Sequence, residues 1–376
     1  MIARSIQNTI EQFIFCNKII IIYWARQVGK TTLSKFIAVK NAENDYKYID
    51  CDIIQNRQAL EVQDPEQLKR FIWSYKIVII DEAQRVENIG LILKLLHTYL
   101  PQIQFIATGS SSFELSHKIN EPLTGRSMEF LVTPFAGNEL KNKKEYTLSH
   151  NHIEQLLMYG SYPETINHPD NAIRYLKNLA SNYLYKDILA LESLKKSDQL
   201  LQLLQLLAWQ IGNEVSYNEL WQKLWLSVQT IQKYISLLEK SFIIFRLPSY
   251  KKNLRNEIGK SQKIYFRDLW VRNALIDQFI PITFRNDIWA LRENFALIER
   301  QKYLHNTGNI VSSYFWRNHQ WAEIDYIEIN PQWEYFLYKY KRNGNKKVHI
   351  PKAFTDNYGQ HNIKIISPKN IDTVRI

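Results

Sequence analysis

The sequence predicts an α/β fold for the first third of the chain, followed by parts of different character. Three observations support this prediction. Short β-branched apolar runs alternate with helical patterns up to about residue 135, which favours a parallel sheet covered by helices. Polar residues follow several of these runs directly, where a parallel sheet places its binding site. The 376 residues are too many for one core, so we expect two to four domains.

Composition restricts the class of protein before any motif is considered. The net charge of +11 and the pI near 9.3 favour an anionic partner, with nucleic acid as the first candidate and a solvated basic face as the alternative. Cys16 and Cys51 lack metal or redox spacing, so we expect a reducing compartment and no zinc site. No apolar run suits a membrane span or a cleaved signal peptide, so we expect a soluble, cytoplasmic protein without membrane contact.

A phosphate-binding loop follows the first predicted strand. Apolar positions in residues 1–15 predict an amphipathic helix that packs on this strand. Residues 19–23 predict the buried strand and residues 31–39 the next helix, and residues 25–32, where the two are joined, read ARQVGKTT. In such a loop the backbone N–H groups and the helix N-terminus face the phosphates of a nucleotide. We expect these contacts from Arg26, Gln27, Val28, Gly29, Lys30, Thr31 and Thr32.

Two loop residues have further expected roles, and one position departs from the pattern. Lys30 is expected to reach the β- and γ-phosphates, and the Thr31 hydroxyl to bind Mg²⁺. The pattern G-x-x-x-x-G-K-[ST] requires Gly at residue 24, where the chain has Trp24. The alternative is a chance Gly-Lys-Thr after a strand.

Residues 76–82, KIVIIDE, predict the second half of a nucleotide site. Asp81 ends a β-branched strand, where a carboxylate can hold the hydration shell of Mg²⁺, and Glu82 is then placed to orient the attacking water. The alternative is an acidic turn. Upstream, residues 46–50 predict a short strand, and Asp64-Pro65 begins a helix that continues to Ile72.

Residues 104–110 predict another strand, ending in small hydroxyl residues. Thr108 or Ser110 could sense the γ-phosphate between the other two strands, and a satisfied turn is the alternative. Strands and helices alternate throughout this region, which predicts a parallel, doubly wound sheet with its site at the strand ends.

Four motifs give the chain a family resemblance: ARQVGKTT at 25–32, IIDEAQR at 79–85, TGSSSFEL at 108–115 and PLTGR at 122–126. The chain resembles prokaryotic AAA-type P-loop ATPases that carry a C-terminal domain of unknown function, over nearly its whole length. The resemblance implies an ATPase that uses ATP and Mg²⁺. It also implies a C-terminal winged helix joined to a small α+β domain of the restriction-endonuclease-like type, without an established substrate.

Arg126, in the last motif, is a candidate arginine finger that acts on a neighbouring subunit of a homo-oligomer. The alternative is a basic residue entering a strand. The predicted domains are an ATPase core over 1–140, a helical lid over 141–196, with a long helix at 175–191, a winged helix over 197–280 and a restriction-endonuclease-like domain over 281–376.

The order helix, helix, helix, hairpin after residue 197 predicts the winged helix. Ser227 caps its third helix, and the outward face of that helix carries Gln229, Gln232, Lys233 and Ser236. Strands are predicted at 242–246 and 263–266. The basic residues expected on the wing are Lys251, Lys252, Arg255, Lys260 and Lys263. DNA binding through wing and helix is the functional prediction, and protein interaction is the alternative.

The last hundred residues contain most of a nuclease pattern. A nuclease of the restriction-endonuclease type needs a helix acid, a strand Asp and an acid-x-Lys on the adjacent strand, so that carboxylates hold Mg²⁺ beside the scissile phosphate. Glu293, expected near the start of a helix, Asp325 and Lys339 match, but Leu337 stands at the second strand acid. We therefore predict a nucleic-acid-binding scaffold without nuclease activity. Its expected backbone contacts are Lys339, Lys341, Arg342, Lys346 and Lys347.

Tryptophan and glycine are unusually distributed, with 10 Trp and only 11 Gly in 376 residues, where about 7% Gly is usual. Several Trp stand where the backbone favours Gly: Trp24, Trp73, Trp225, Trp321 and Trp333. The resembling family commonly has Gly at Trp270 and Trp289, whereas Trp316 fits as Trp. We hypothesise that many of these residues are glycines in the living protein, encoded by a reassigned UGA codon. The alternative is a decayed phosphate loop with a coincidental Trp surplus.

Overall fold

The computed structural model describes residues 2–24, 28–62, 64–72, 74–109, 123–141, 150–181, 197–251, 261–341 and 349–371. The chain forms two compact units. Unit 1 consists of Met1–Phe135 and Lys240–Phe242, and unit 2 consists of Ala136–Glu239 and Ile243–Ile376. None of the described helices has the length and apolar character needed to cross a membrane.

Unit 1 is a five-stranded parallel sheet in the order β2-β3-β4-β1-β5. Its strands are β1 (Ile19–Trp24), β2 (Tyr46–Asp50), β3 (Ile77–Asp81), β4 (Gln104–Gly109) and β5 (Ser127–Val132). Its helices are α1 (Ile6–Glu11), α2 (Lys30–Ala42), α3 (Ile54–Glu61), α4 (Pro65–Ile72) and α5 (Ile89–Tyr99). Every residue of β3 and β4 is buried, which explains why both appear in the sequence as nearly continuous apolar runs.

The strand order brings three predicted site strands together. β4 lies between β1 and β3, with Ile106 paired to Ile20 on one side and to Ile79 on the other. Because the three strands are parallel, their carboxyl ends meet at one edge of the sheet. The phosphate-loop motif and Asp81-Glu82 both lie at this edge. The predicted parallel α/β sheet is confirmed.

Unit 2 begins with helices and ends with a mixed sheet. Its helices are α6 (Gly137–Lys141), α7 (His150–Tyr159), α8 (Pro163–Asn167), α9 (Ala172–Leu179), α10 (Ser197–Trp209), α11 (Tyr217–Leu224), α12 (Val228–Lys240), α13 (Leu269–Leu275), α14 (Ile288–Asn306) and α15 (Lys352–Tyr358). β6 (Ile244–Pro248) and β7 (Gln262–Phe266) form an antiparallel hairpin. The four-stranded sheet has the order β11-β10-β9-β8, from β8 (Ser312–Arg317), β9 (Glu323–Ile329), β10 (Tyr335–Tyr340) and β11 (Ile363–Ile366).

Helix α12 has the two faces that the sequence predicts. Ile231 and Ile235 are fully buried, whereas Gln229, Gln232 and Lys233 are exposed. The helix is capped by Ser227, whose Oγ accepts a hydrogen bond from the Thr230 N–H group at 3.1 Å. Ser236, also expected outside, is only partly exposed.

Several predicted boundaries are wrong. β6 begins at Ile244, two residues late, and Phe242 before it has a left-handed φ of 58°. α14 begins five residues before Glu293, because the helical pattern already starts at Ile288. α1 covers only part of residues 1–15, and α9 begins at Ala172 and ends at Leu179 rather than starting at 175. The predicted continuation of that helix over 182–191 lies outside the described residues.

Lys263 is the largest correction in this region. The sequence places it on a basic wing, but it lies on β7 and is 2% exposed. Every residue of β7 is buried, and the Lys263 ammonium is accommodated there by ion pairs with Glu293 and Glu323. Lys251 is exposed as predicted, and Lys252, Arg255, Lys260, Arg342, Lys346 and Lys347 lie outside the described residues.

Candidate nucleotide site

The described part of the phosphate loop leads directly into α2, which begins at Lys30. Gly29 has a φ of 91°, in the left-handed region where a residue with a Cβ is strained. Among the described residues, no atom lies within 4 Å of the point where a Cβ on Gly29 would stand, so the loop borders open space. The first backbone N–H groups of α2, from Lys30 to Thr32, lack acceptors within the helix and suit an anion. Arg26, Gln27 and the Trp24 side chain lie outside the described part of the chain.

Asp81 is the centre of a hydrogen-bond network at the carboxyl ends of the strands. It is 3% exposed. Its Oδ2 accepts the Thr31 hydroxyl at 3.2 Å and also the Tyr48 hydroxyl, while its Oδ1 accepts the Thr108 hydroxyl. Hydroxyls from α2, β2 and β4 therefore fix this carboxylate beside Thr31. A hydroxyl and a carboxylate at this separation are ligands that Mg²⁺ takes together with nucleotide phosphates.

Lys30 and Glu82 complete the charged part of the site. The Lys30 ammonium forms an ion pair with Glu82 and lies 3.7 Å from Oδ1 of Asp81. Glu82 follows β3 with a φ of 52°, which is uncommon for a residue with a side chain and is typical of functional sites. Gln84 Nε2 donates to Oε2 of Glu82 at 2.5 Å. The network therefore holds the Glu82 carboxylate next to the lysine that is expected to contact phosphate.

Tyr48 and Gln84 are members of this network that the sequence analysis missed. Burial raises the pKa of Tyr48 and the hydrogen bond to Asp81 raises it further, so the hydroxyl stays a neutral donor. The sequence contains no direct signal for the role of Tyr48. Its position near Asp81 follows from the parallel register of β2 and β3, which pairs Asp50 with Asp81. Thr108 is fully buried against Asp81, whereas Ser110 lies outside the described residues.

Arg126 is exposed and lies at the opposite end of the sheet from the phosphate loop of its own chain. It immediately precedes β5, and its backbone C=O accepts the N–H group of Ile19 at 2.8 Å. Ile19 begins β1 and Trp24 ends it, so the two ends are ~17 Å apart. An arginine in this place cannot reach its own nucleotide without a large movement. Its position fits both the predicted action on a neighbouring subunit and the alternative of a basic residue that enters a strand.

Among the described residues, no cluster of three or more His, Cys, Asp or Glu side chains could hold a metal ion. Mg²⁺ that arrives with a nucleotide needs fewer protein ligands, because phosphate oxygens and water complete its shell. Thr31 and Asp81 provide that smaller set. The residues present therefore fit Mg²⁺ with ATP, apart from the Trp at position 24.

The residues of the predicted nuclease pattern come together in unit 2. Glu293, Asp325 and Lys339 line one cleft. Leu337 is 1% exposed in the apolar cluster of the four-stranded sheet. The cleft therefore receives no carboxylate from position 337.

Family comparisons agree with the geometry of unit 1. Residues 16–141 match the AAA domain family, and residues 150–280 match a domain of unknown function, DUF8612. The chain therefore contains a region similar to AAA-type P-loop domains, followed by a region similar to a domain of unknown function. Nucleotide binding is the property that this class implies.

Individual relatives are distant. The chain is 23% identical over 374 residues to the uncharacterized protein MJ1544 of Methanocaldococcus jannaschii, covering 94% of this chain and 81% of the relative. It is 24% identical over 304 residues to an uncharacterized protein of Haemophilus influenzae, covering 76% and 72%. These relatives identify no substrate.

Solved structures show only weak similarity. The ORC1 protein of Aeropyrum pernix in complex with DNA is 12% identical, with a TM-score of 0.34, over 73% of this chain and 91% of that protein. The RuvB Holliday junction branch migration motor of Thermotoga maritima is 14% identical, with a TM-score of 0.31, over 66% and 90%. Likeness at these scores carries no argument about function.

Proposed function

We propose that this protein binds ATP with Mg²⁺ and hydrolyses it, and that its C-terminal part binds DNA. ATP binding and hydrolysis are supported by four side chains that come together at one edge of the sheet: Lys30, Thr31, Asp81 and Glu82. Their residue types and order match the division of labour in phosphoryl transfer, in which the protein positions groups and stabilises charge.

Each side chain has a separate role in this proposal. The N–H groups at the start of α2 hold the phosphates, and the Lys30 ammonium moves from Glu82 to the β- and γ-phosphate oxygens. Thr31 and Asp81 hold Mg²⁺, which neutralises charge on the phosphates. Release of Lys30 leaves the Glu82 carboxylate available to accept a hydrogen bond from the attacking water, with Gln84 fixing its direction.

Two substitutions separate binding from hydrolysis. Lys30→Ala should abolish nucleotide binding, because it removes the charge that faces the β- and γ-phosphates. Glu82→Gln should keep binding and lower phosphate release by at least tenfold, because it removes only the group that orients water. Fluorescent-nucleotide binding and phosphate release are measured on the same preparations, with Trp24→Gly as a second parent because of the mismatch at that position. Unchanged turnover by Glu82→Gln would contradict the role of Glu82.

The DNA-binding half of the proposal is supported by charge and by the exposed face of α12. That face carries Gln229, Gln232 and Lys233, side chains that contact base edges and phosphates in winged helices. The net charge of +11 provides non-specific attraction to the phosphate backbone. If duplex phosphates are contacted, the logarithm of the binding constant should fall by about 0.9 per log unit of salt for each neutralised phosphate. Lys233→Glu should weaken binding, whereas a salt-independent constant would exclude DNA as the partner.

The rival proposal is a nucleotide-gated protein-interaction module that does not hydrolyse ATP. It is favoured by Trp24, since an indole at the first position of the loop competes with phosphate for space. Phosphate release measured with and without DNA separates the two. Release that rises with DNA supports the ATPase, and the absence of release from both the chain as written and Trp24→Gly supports the interaction module.

A further inference from the structure

The cleft in unit 2 contains a buried lysine where the nuclease pattern implies a metal ion. We call it the ionic cleft, a cavity of about 610 Å³ whose charged lining includes Lys263, Glu293, Arg317, Glu323, Asp325 and Lys339. The sequence pattern implies Mg²⁺ held by carboxylates of this set. The implied metal fits only if the oxygens of those carboxylates are available as ligands.

Both oxygens of Asp325 already have partners. Lys339 Nζ forms an ion pair with Oδ1, and the backbone N–H of Tyr340 donates to Oδ2 at 2.7 Å. Asp325 is 6% exposed, so water does not compete for these bonds. Because Leu337 is apolar, the adjacent strand adds no second carboxylate beside Asp325.

Glu293 and Glu323 share one ammonium group. Lys263 Nζ lies 2.7 Å from Oε1 of Glu323 and 3.5 Å from Oε1 of Glu293. The remaining contacts are a hydroxyl from Tyr265, 2.6 Å from Glu293, and a guanidinium from Arg317, 2.8 Å from Glu323. Each of the three acids is therefore paired with at least one cation, although Arg317 also forms an ion pair with Glu214 at 2.7 Å.

Lys263 cannot easily leave this position. Its side chain is 3% exposed, and an ammonium this deep needs nearby negative charge to remain ionised. The ion pairs with Glu293 and Glu323 provide that negative charge, so the ammonium repels any divalent cation that approaches the same carboxylates.

We infer that the Lys263 ammonium permanently takes the place of a divalent cation between Glu293 and Glu323, so that this cleft binds no metal ion. The inference does not depend on the ATPase proposal, because it concerns residues of unit 2 only. It makes the cleft a fixed set of ion pairs, centred on a residue outside the nuclease pattern.

Terbium luminescence tests this inference in the full-length protein. Tb³⁺ replaces Mg²⁺ and Ca²⁺ at carboxylate sites and emits when a nearby tyrosine is excited, and Tyr265 and Tyr340 are both next to the cleft carboxylates. Asp81→Asn is present in every variant, so that the N-terminal site contributes little. Lys263→Met should gain a Tb³⁺ site at least tenfold tighter than any in the parent. Glu293→Gln added to Lys263→Met should abolish that site.

Lys341→Met is the matched control, since Lys341 also lines the cleft and the substitution removes the same charge. It should not create the tight site. A gain by Lys341→Met equal to that of Lys263→Met would show a general charge effect and overturn the inference. So would a folded Lys263→Met without the site, as judged by circular dichroism.

If Lys263→Met does not fold, Tb³⁺ titration of the parent protein still tests the inference. In the parent, Glu293→Gln should leave the Tb³⁺ titration unchanged, because Lys263 already excludes the ion. A parent signal that Glu293→Gln abolishes would overturn the inference directly.

Discussion

Three tryptophans hold left-handed backbone conformations, and we predict that glycine at these positions stabilises the protein. Trp225, Trp321 and Trp333 have φ values of 55°, 64° and 63°. Their exposed fractions are 86%, 78% and 73%, so their indoles gain little from burial. Each ends a turn or helix through a backbone hydrogen bond, as Trp225 does to the Trp221 C=O at 2.9 Å. These are the positions at which Gly is usual.

The size of the effect follows from two opposing terms. A residue with a Cβ in the left-handed region destabilises the folded state by ~1–2 kcal/mol. Glycine removes this strain, but it loses ~0.5–1 kcal/mol of the gain because its unfolded chain is more flexible. The net gain is ~0.5–1 kcal/mol per turn, and ~2 kcal/mol for three separate turns. That corresponds to a rise in Tm of ~4–8 °C for a unit of this size. Trp321 should gain least, because its ring also lies 5.4 Å from the Arg317 guanidinium.

Thermal unfolding of matched variants measures this. Trp→Gly at the three positions should raise Tm, whereas Trp→Ala should not, because Ala removes the indole but keeps the Cβ. Trp316→Gly is the opposite control. Trp316 is 7% exposed on β8 and packs against Phe354 with ring centroids 5.4 Å apart, so its loss should lower stability by ~3–5 kcal/mol.

An equal rise for Gly and Ala would show that the exposed indole, and not the backbone, is unfavourable. No rise for Gly would refute the reasoning. The gene itself gives a second readout, since the recoding hypothesis predicts UGA at 24, 73, 225, 321 and 333 and UGG at 316. UGG at all six would end that hypothesis while leaving the stability prediction standing.

The remaining predictions concern single sites. If the recoding hypothesis is right and residue 24 is glycine in the living protein, Trp24→Gly should restore nucleotide binding that the chain with Trp24 lacks, measured by fluorescent-nucleotide titration, and equal affinity of both proteins would contradict it. The protein should cut neither duplex nor single-stranded DNA with Mg²⁺ or Mn²⁺; cleavage that Asp325→Ala abolishes would refute this. The pKa of Asp287 is about 2. Burial raises this pKa, but hydrogen bonds and charges from Arg285 and Arg272 lower it by a larger amount. Because the folded pKa lies below the unfolded value, this stabilisation is complete above pH 4 and lost as pH falls through about 2. Asp287→Asn should therefore lower the unfolding free energy by ~1–2 kcal/mol at pH 7 and by much less at pH 2, measured by urea unfolding; a loss that does not depend on pH would contradict it.

The strands of unit 1 were predictable because each leaves a local sequence signal, whether it is fully buried, like β3 and β4, or partly exposed, like β2. β2 was predicted at Tyr46–Asp50 and β4 began at the predicted Gln104, since each is a run of strand-forming residues bounded by polar ones. The cap of α12 was also predicted, and the Ser227 Oγ accepts the Thr230 N–H group there. Local patterns of this kind depend on neighbours in the chain, which the sequence shows.

The networks within the sites were not predictable in the same way. Tyr48 bonds to Asp81, 33 residues away, and Lys263 to Glu323, 60 residues away. Neither pair has a spacing that a helix or hairpin would produce, so only the strand order reveals it. The basic residues around Lys263 suggested an exposed wing, whereas the structure buries every residue of β7.

A lysine between two carboxylates occurs in each unit of this chain, and the exposure of the lysine determines what each arrangement can do. Lys30 lies against Asp81 and Glu82 with 22% of its side chain exposed, beside the open space at Gly29, so a phosphate can draw it away from the acids. Lys263 lies between Glu293 and Glu323 with 3% exposed, so an anion has much less access to its ammonium group. The same three charges therefore make an exchangeable site in unit 1 and a permanent one in unit 2. Substitution should separate them: removing Lys30 loses a ligand, whereas removing Lys263 creates a site for one.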